Sequence, residues 1–578
     1  MKRQLLNSCI AISCAISFCV ALHGCKKNQG LKTPANAVIP ASYRGLSSTP
    51  SAYACFSITN VFSSKVLEVR GDSTLLKNQS NPANVQQYTN LNLGVGISAN
   101  QKWDLIQQGT GTITNTTPFK IMNVETGMFL EAPNGTSGTQ LWDDHTNGFP
   151  SQIWYLQLVS GQTYYVIKNA NGLVLTDHGN ATADGAPITE ETAAGTTAQD
   201  WSLTSITNEA YRDDVVVGFF HRGNVANTTV AFDQGNSIPL TYSTNNGKVL
   251  WITEDAYASS QLQSNGQLYC QVFSYHNSGF LQPSTTNWTS SSAPNITTTS
   301  NAGTGVNELE IIKSPGAHNS TYSWPGSGVE IGGNVYLFNY ESANGSTPAN
   351  QVLYNIAETA GSTTWGSATR LTPGGMSGQT KITYSVGMIK KTAGDTVYVY
   401  GAESVYFNTA DIFLARYPTN NPTAWSFWRG HSWASTPDTT STASGALTIG
   451  SGTTTQANCD ISYVNGKYVM MQTDLGYFCD PSSHGIYLST ATSPFGPFTT
   501  PKLVYTIADT YNGHLARYYT PIIHGEFVNG LNELLVTYCL NYNAAGGSCS
   551  TNTCFNNNQD PNFYQIKAVR VPYALVGL

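Results

Sequence analysis

Five stretches in the C-terminal two-thirds of the chain share one pattern of apolar and polar positions. A strand-like run is followed by a Gly/Asn turn and then by a run of β-branched and aromatic residues. The stretches are residues 236–240 with 246–252, 328–338, 384–389 with 394–400, 461–471, and 520–523 with 529–538. Each reads as a β-hairpin, because Asn-Gly and Gly-Gly supply the positive φ angles that tight hairpin turns require. Five hairpins in one region predict radial repetition, a β-propeller of five blades. In such a disc one end of each innermost strand reaches a common axial pocket, so residues distant in sequence meet there.

A second repeat occupies residues 55–205. Gln101-Lys102-Trp103, Gln152-Ile153-Trp154 and Gln199-Asp200-Trp201 recur at nearly regular spacing. Each closes a similar segment: Phe56 to Asn60 before Val66-Leu67-Glu68, Phe119 to Asn123 before Phe129-Leu130-Glu131, and Tyr165 to Asn169 before Val174-Leu175-Thr176. Three copies of four short strands predict a closed threefold barrel, with the Trp side chains filling its core and the Gln side chains bridging backbone groups. The three Gln-x-Trp motifs resemble those of the ricin B-type lectin β-trefoil. The resemblance implies carbohydrate binding through an acid, an aromatic face and an Asn or Gln in each repeat. The first repeat offers Asp72, Tyr88 and Asn100, and the second offers Trp142 with Asp143 and Asp144. In the third, Glu190 and Glu191 stand where an aromatic residue is expected, so its site reads as degenerate. The expected fold class is thus all-β, a β-trefoil followed by a five-bladed β-propeller over residues 206–578.

Composition fits this reading. At 578 residues the chain is too long for one core. Charged residues make up only 11%, while Tyr (32) and Trp (11) are frequent, which suits a protein handling neutral ligands outside the cell. A net charge of −7 provides no basic surface for nucleic acid. Lys2 and Arg3, an apolar stretch from Ile10 to Leu22 and the tetrapeptide Leu22-His23-Gly24-Cys25 read as a secretory signal. The tetrapeptide resembles a bacterial lipobox, although His23 replaces the usual small residue. The resemblance implies lipidation at Cys25, residues 1–25 as signal, residues 26–54 as a flexible linker, and anchoring to the outer face of a bacterial membrane. A plain signal peptide is the other reading. An exported chain permits disulfides, with Cys459–Cys479 and Cys549–Cys554 as local candidates. No cofactor is expected, and a monomer is.

The acids of the propeller carry the candidate chemistry. Residues just before a first strand and just after a second strand share one opening of the disc. Asp233, Asp460 and Tyr519 lie before or at first strands. Glu254, Asp255, Glu341, Glu403 and Asp474 follow second strands. Converging carboxylates beside Trp251, Tyr257, Trp324 and Tyr340 suit glycoside hydrolysis, which needs one protonated acid and one ionised carboxylate. The alternative is that these acids cap strand ends, hold a structural calcium ion or sit in solvent.

The stretch 232–240 with 247–257, and later His276-Asn277-Ser278, Trp324-Pro325-Gly326, Leu414-Ala415-Arg416 and Tyr518-Tyr519-Thr520-Pro521, resemble a bacterial five-bladed propeller family that includes endo-D-arabinanases. The resemblance implies Asp233 and Asp255 as catalytic, with Glu254 where that family usually has Gly. By analogy with the wider arabinanase-like propellers, Glu330 and Glu403 are candidate acids. Trp251, Tyr257, Asn277, Trp324, Asp460 and Tyr519 are candidate substrate contacts. The expected function is cleavage of a polysaccharide, arabinan-type, by a cell-surface or secreted enzyme. A non-catalytic carbohydrate-binding adhesin, a sialidase and a polysaccharide lyase are the rivals. The sialidase needs an arginine cluster that 27 Lys plus Arg make scarce.

Overall fold

The structure is a computed structural model. It describes residues 55–578 except 71–82, 92–97, 109–112, 127, 145–149, 207–208, 224, 269–273, 303–308, 314–321, 344–347, 392–393, 407, 440–444, 475–484, 508, 512–513 and 546–559. The signal, Cys25, the linker, Asp72, Cys479, Cys549 and Cys554 lie outside the described residues. Cys459 carries a free thiol among the described residues, and the expected Cys459–Cys479 and Cys549–Cys554 bridges fall on residues that are not described.

Strands from Cys55–Asn60 to Asp200–Ser205 form one closed antiparallel system, the first strand pairing with the last. Its threefold logic is written in the Gln-x-Trp motifs. The indole N–H groups of Trp103, Trp154 and Trp201 donate to the carbonyls of Leu67, Leu130 and Leu175 at 3.0, 2.9 and 2.9 Å. Gln101, Gln152 and Gln199 donate to Glu68, Glu131 and Thr176, which occupy the same place in each repeat. All three Trp are fully buried in one apolar cluster. The motifs are scaffold.

Beside two short pairs, Thr229–Phe232 with Ala256–Ala258 and the parallel Thr297–Thr298 with Thr364–Trp365, most of the remaining strands form five antiparallel blades. Their first strands are Asn236–Pro239, Tyr322–Ile331, Thr383–Lys390, Cys459–Val464 and His514–His524. Blade four turns at Asn465-Gly466 with φ of 45° and 84°, the pair of left-handed residues that a tight hairpin demands. Glycine lets the inner strands crowd the axis. A Cβ on Gly387 would strike the Ile461 carbonyl of the next blade, so no side chain fits there. The ring closes twice. Tyr211–Arg212, preceding blade one, adds to Ile566–Pro572 at the outer edge of blade five. On the inside, Ser237 Oγ lies 2.6 Å from His524 Nδ1, joining the first strands of blades one and five.

The trefoil is docked against the propeller. In strand Trp103–Gln107, Trp103 and Leu105 enter the barrel core, whereas Ile106 joins Met122 and Phe129 in a cluster with Tyr505, Ile507 and Val504 of the propeller. Period-two alternation thus buries both faces of one strand. A buried Lys102–Glu209 ion pair of 2.5 Å completes the junction.

Candidate functional site

Two neighbouring turns of blade one bring the first acids together. Asp233 lies between strands Thr229–Phe232 and Asn236–Pro239, and Glu254-Asp255 between Val249–Thr253 and Ala256–Ala258. The turns exchange backbone bonds, Asp233 N to Asp255 O at 3.3 Å and Glu254 N to Asp233 O at 3.1 Å. The expectation that these acids share one rim holds at this level of geometry.

Side chains from blades one, two and five surround them. The Tyr519 hydroxyl donates to Asp233 Oδ2 at 2.5 Å and itself accepts from Asn541 at 3.0 Å. The Tyr564 side chain lies beside Asp233 and favours its ionised form. Asp255 Oδ1 accepts from the Trp324 indole at 2.9 Å and pairs with His276 Nδ1 at 2.7 Å. Glu310 accepts from the His276 backbone at 3.3 Å. Tyr322, Trp324 and Tyr340 form a stacked row, with ring centroids 5.1 and 5.9 Å apart, and the edge of the row meets the His276 ring at 4.4 Å.

Burial sets the protonation of this cluster. Asp233 is 1% exposed. Burial, then the Asp255 charge, push it up to about 7, against the Tyr519 hydrogen bond and the neighbouring Tyr564, which pull it down. Burial, followed by the charges of Asp233 and Asp255, raises Glu254 well above the usual carboxylate range. Glu254 nevertheless keeps part of its surface in solvent. For His276, burial favours the neutral ring, but the bond and charge of Asp255, with Glu310 and Asp233, outweigh it and raise its pKa. Groups whose protonation is pulled in different directions at one place are the raw material of acid–base chemistry.

The backbone is strained at the same point. Gln234, directly after Asp233, has φ 52°, and Thr520, directly after Tyr519, has φ 47°. A β-branched residue in the left-handed region costs of order 1–3 kcal/mol, and such outliers gather at functional sites. The two that hold the Asp233–Tyr519 bond are both followed by one.

Other expected site residues lie elsewhere. Trp251 is fully buried, donates to Gln282 at 2.7 Å and packs on Phe280 and Phe527, so it is core rather than a substrate contact. Tyr257 is 1% exposed beneath Tyr564. Asn277 spends both ends of its amide on backbone groups of residues 311, 312 and 323 and has nothing left for a sugar. Glu330 sits at the opposite end of blade two, bonded to Thr241 and to Gly333 N, and caps the far turns. Asp460 lies inside its strand and ties blade four to Ile523 of blade five at 2.8 Å. Glu403 stays on blade three, where Lys381, Asp411 and Asp438 are its charged neighbours, and it makes no bond to the Asp233 cluster. Glu341 is committed to Arg370 and Tyr354.

In the trefoil, Trp142 is 36% exposed, Tyr88 is partly exposed and Asn100 donates to Val69 O at 3.1 Å. Asp143 points inward and is fully buried, and burial pushes it up to about 8, which removes it as a ligand contact. Sequence reasoning passed over His276, Glu310, Tyr322 and Tyr564. Only His276 left a signal, in the His-Asn-Ser motif. Among the described residues no group of three or more His, Cys, Asp or Glu is arranged to hold a metal ion. No described helix is long and apolar enough to cross a membrane.

Fold and site define an all-β protein in which a lectin-type trefoil abuts a five-bladed propeller with an acid-lined mouth. Residues 226–572 match the family described as a domain of unknown function, DUF5005, and the chain belongs to that family. Residues 99–171 and 150–212 match the ricin-type beta-trefoil lectin domain-like family. No curated relative matches. Similar solved structures include the designed threefold-symmetric protein ThreeFoil, at 24% identity and TM-score 0.23 over 26% of this chain and 99% of that one. The Rhizoctonia solani agglutinin is 18% identical, TM-score 0.22, over 28% and 98%. An exo-beta-1,3-galactanase from Clostridium thermocellum is 27% identical, TM-score 0.22, over 26% of this chain and 30% of that one.

Proposed function

We propose that this protein is a glycoside hydrolase of the bacterial cell envelope, exported and lipid-anchored through Cys25, that cleaves a polysaccharide at the propeller mouth while the trefoil holds the same glycan. Arabinan is the specific substrate of this reading, in keeping with the arabinanase-like motifs of blade one. The observation that carries it is the meeting of Asp233, Glu254 and Asp255 on adjacent turns, with Asp233 raised to about 7. An acid of that strength takes a proton from water near neutral pH, where proton transfer is most effective. Linking a binding module to the cleft raises the local concentration of substrate there.

The test is incubation of the purified protein with a panel of plant and bacterial cell-wall glycans, linear arabinan first, alongside Asp233→Asn. The reading expects oligosaccharides from the wild type and none from the variant. The exposed Trp142 favours one second reading, a non-catalytic surface protein that binds carbohydrate. Retention of glycan without release by either protein would establish it.

A further inference from the structure

His276 has no assigned part in the proposed reaction, yet it stands where a proton donor is needed. We propose that His276, oriented by Asp255, is the general acid that protonates the leaving oxygen, an inference that rests on the reading of the mouth as a glycoside-cleaving site. The geometry is that of a carboxylate–imidazole dyad. Asp255 Oδ1 takes Nδ1 at 2.7 Å, the Trp324 indole fixes the same oxygen, and the Tyr322 ring holds the imidazole from the side. With Nδ1 committed, Nε2 is the nitrogen available to substrate, and 27% of the side chain is exposed, against 2% for Asp255. A carboxylate partner on one ring nitrogen sets the tautomer and direction of the other.

The groups facing His276 all favour its protonated form. They are Asp255 and Asp233 from the blade-one turns and Glu310 from the following loop, which carries the exposed Lys313 near it. Blade two presents only aromatic rings to it, Tyr322 followed by Trp324. Glu254 is the competing donor. Burial, then the charges of two neighbouring acids, hold its proton well above the usual range, and so strongly held a proton is a poor match to transfer near neutrality.

The step balances as an ordinary hydrolysis. The bond between the anomeric carbon and the leaving oxygen breaks, its electron pair stays on that oxygen, and the oxygen receives the Nε2 proton. The oxygen of water forms the new bond to the anomeric carbon, and Asp233 takes the proton that water gives up. Solvent then reprotonates His276 and deprotonates Asp233.

The experiment follows reducing ends released from linear arabinan, or from whichever panel glycan the wild type cleaves, as a function of pH. The proteins are wild type, His276→Ala, His276→Gln and Glu254→Gln. Loss of a general acid costs about 100-fold or more, so both His276 variants drop at least that far and lose the alkaline limb of the profile. Added imidazole restores part of the His276→Ala rate and none of the His276→Gln rate, an effect that a purely structural role would not produce. In the intact protein, an NMR titration of the histidine ring protons places His276 above 6.5, and Asp255→Asn brings it down. The proposal is overturned if His276→Ala keeps its rate and alkaline limb while Glu254→Gln loses them. If the wild type cleaves no glycan, the underlying reading fails instead.

Discussion

Replacing Asp233 by Asn should make the protein more stable at alkaline pH while leaving it unchanged in acid. Asp233 is 1% exposed, and its pKa moves from 3.8 to about 7 on folding. That difference is worth about 4 kcal/mol at 1.36 kcal/mol per pKa unit. The folded-state value lies above the unfolded one, so the folded chain holds the proton more tightly. The stability due to that proton is complete below about pH 4 and is lost as pH rises through about 7. Asparagine has no proton to lose and still offers an oxygen to Tyr519. The gap between variant and wild type therefore opens from near zero at pH 4 to about 4 kcal/mol at pH 8. Spread over an unfolding entropy of roughly 2.1 cal/mol/K per residue, this amounts to about 4 °C in Tm if trefoil and propeller melt together. Calorimetric scans at pH 4, 6 and 8 would measure it. A variant less stable than wild type at pH 8, or a gap that does not change with pH, refutes the argument that burial strains this carboxylate.

Trp154→Ala empties the centre of the trefoil and should cost about 3–5 kcal/mol, seen as an early transition in the same scans. Lys102→Met leaves Glu209 buried without its cation, for a loss of about 3–5 kcal/mol, and Lys102→Met combined with Glu209→Leu should recover most of it in chemical denaturation. Trp142→Ala, at an exposed strand position, should shift stability by less than about 0.5 kcal/mol yet weaken retention on a glycan column, where an unchanged elution would exclude this face.

The architecture was legible because its signals repeat. Each Gln-x-Trp makes the same indole-to-carbonyl bond three times, and each hairpin turn needs the same positive φ. Topology placed Asp233 and Asp255 on one rim with several other acids, as residues flanking a first and a second strand of one blade, and the likeness to the propeller family singled them out. Strand position does not report which face a side chain takes, however. Trp251 and Asn277 therefore read as pocket residues when the fold turns both into the interior, and Asp143 was sent outward when its strand points it in. Glu330 was misplaced along the axis rather than across it, since it starts a turn at the far end. His276, 21 residues from Asp255, is carried to it by the bridge between Ala256 and Tyr275, whereas Tyr564 comes from the far end of the chain and reaches Asp233 only because the ring closes.

The central claim is that acids gathered on one rim break glycosidic bonds rather than merely grip sugar. The direct measurement pairs binding with turnover: a cleavable glycan is loaded on immobilised wild type and on Asp233→Asn, and bound and released sugar are weighed for each. The account expects equal loading, with soluble oligosaccharide from the wild type only. Equal loading with no soluble sugar from either, or equal release from both, would contradict it.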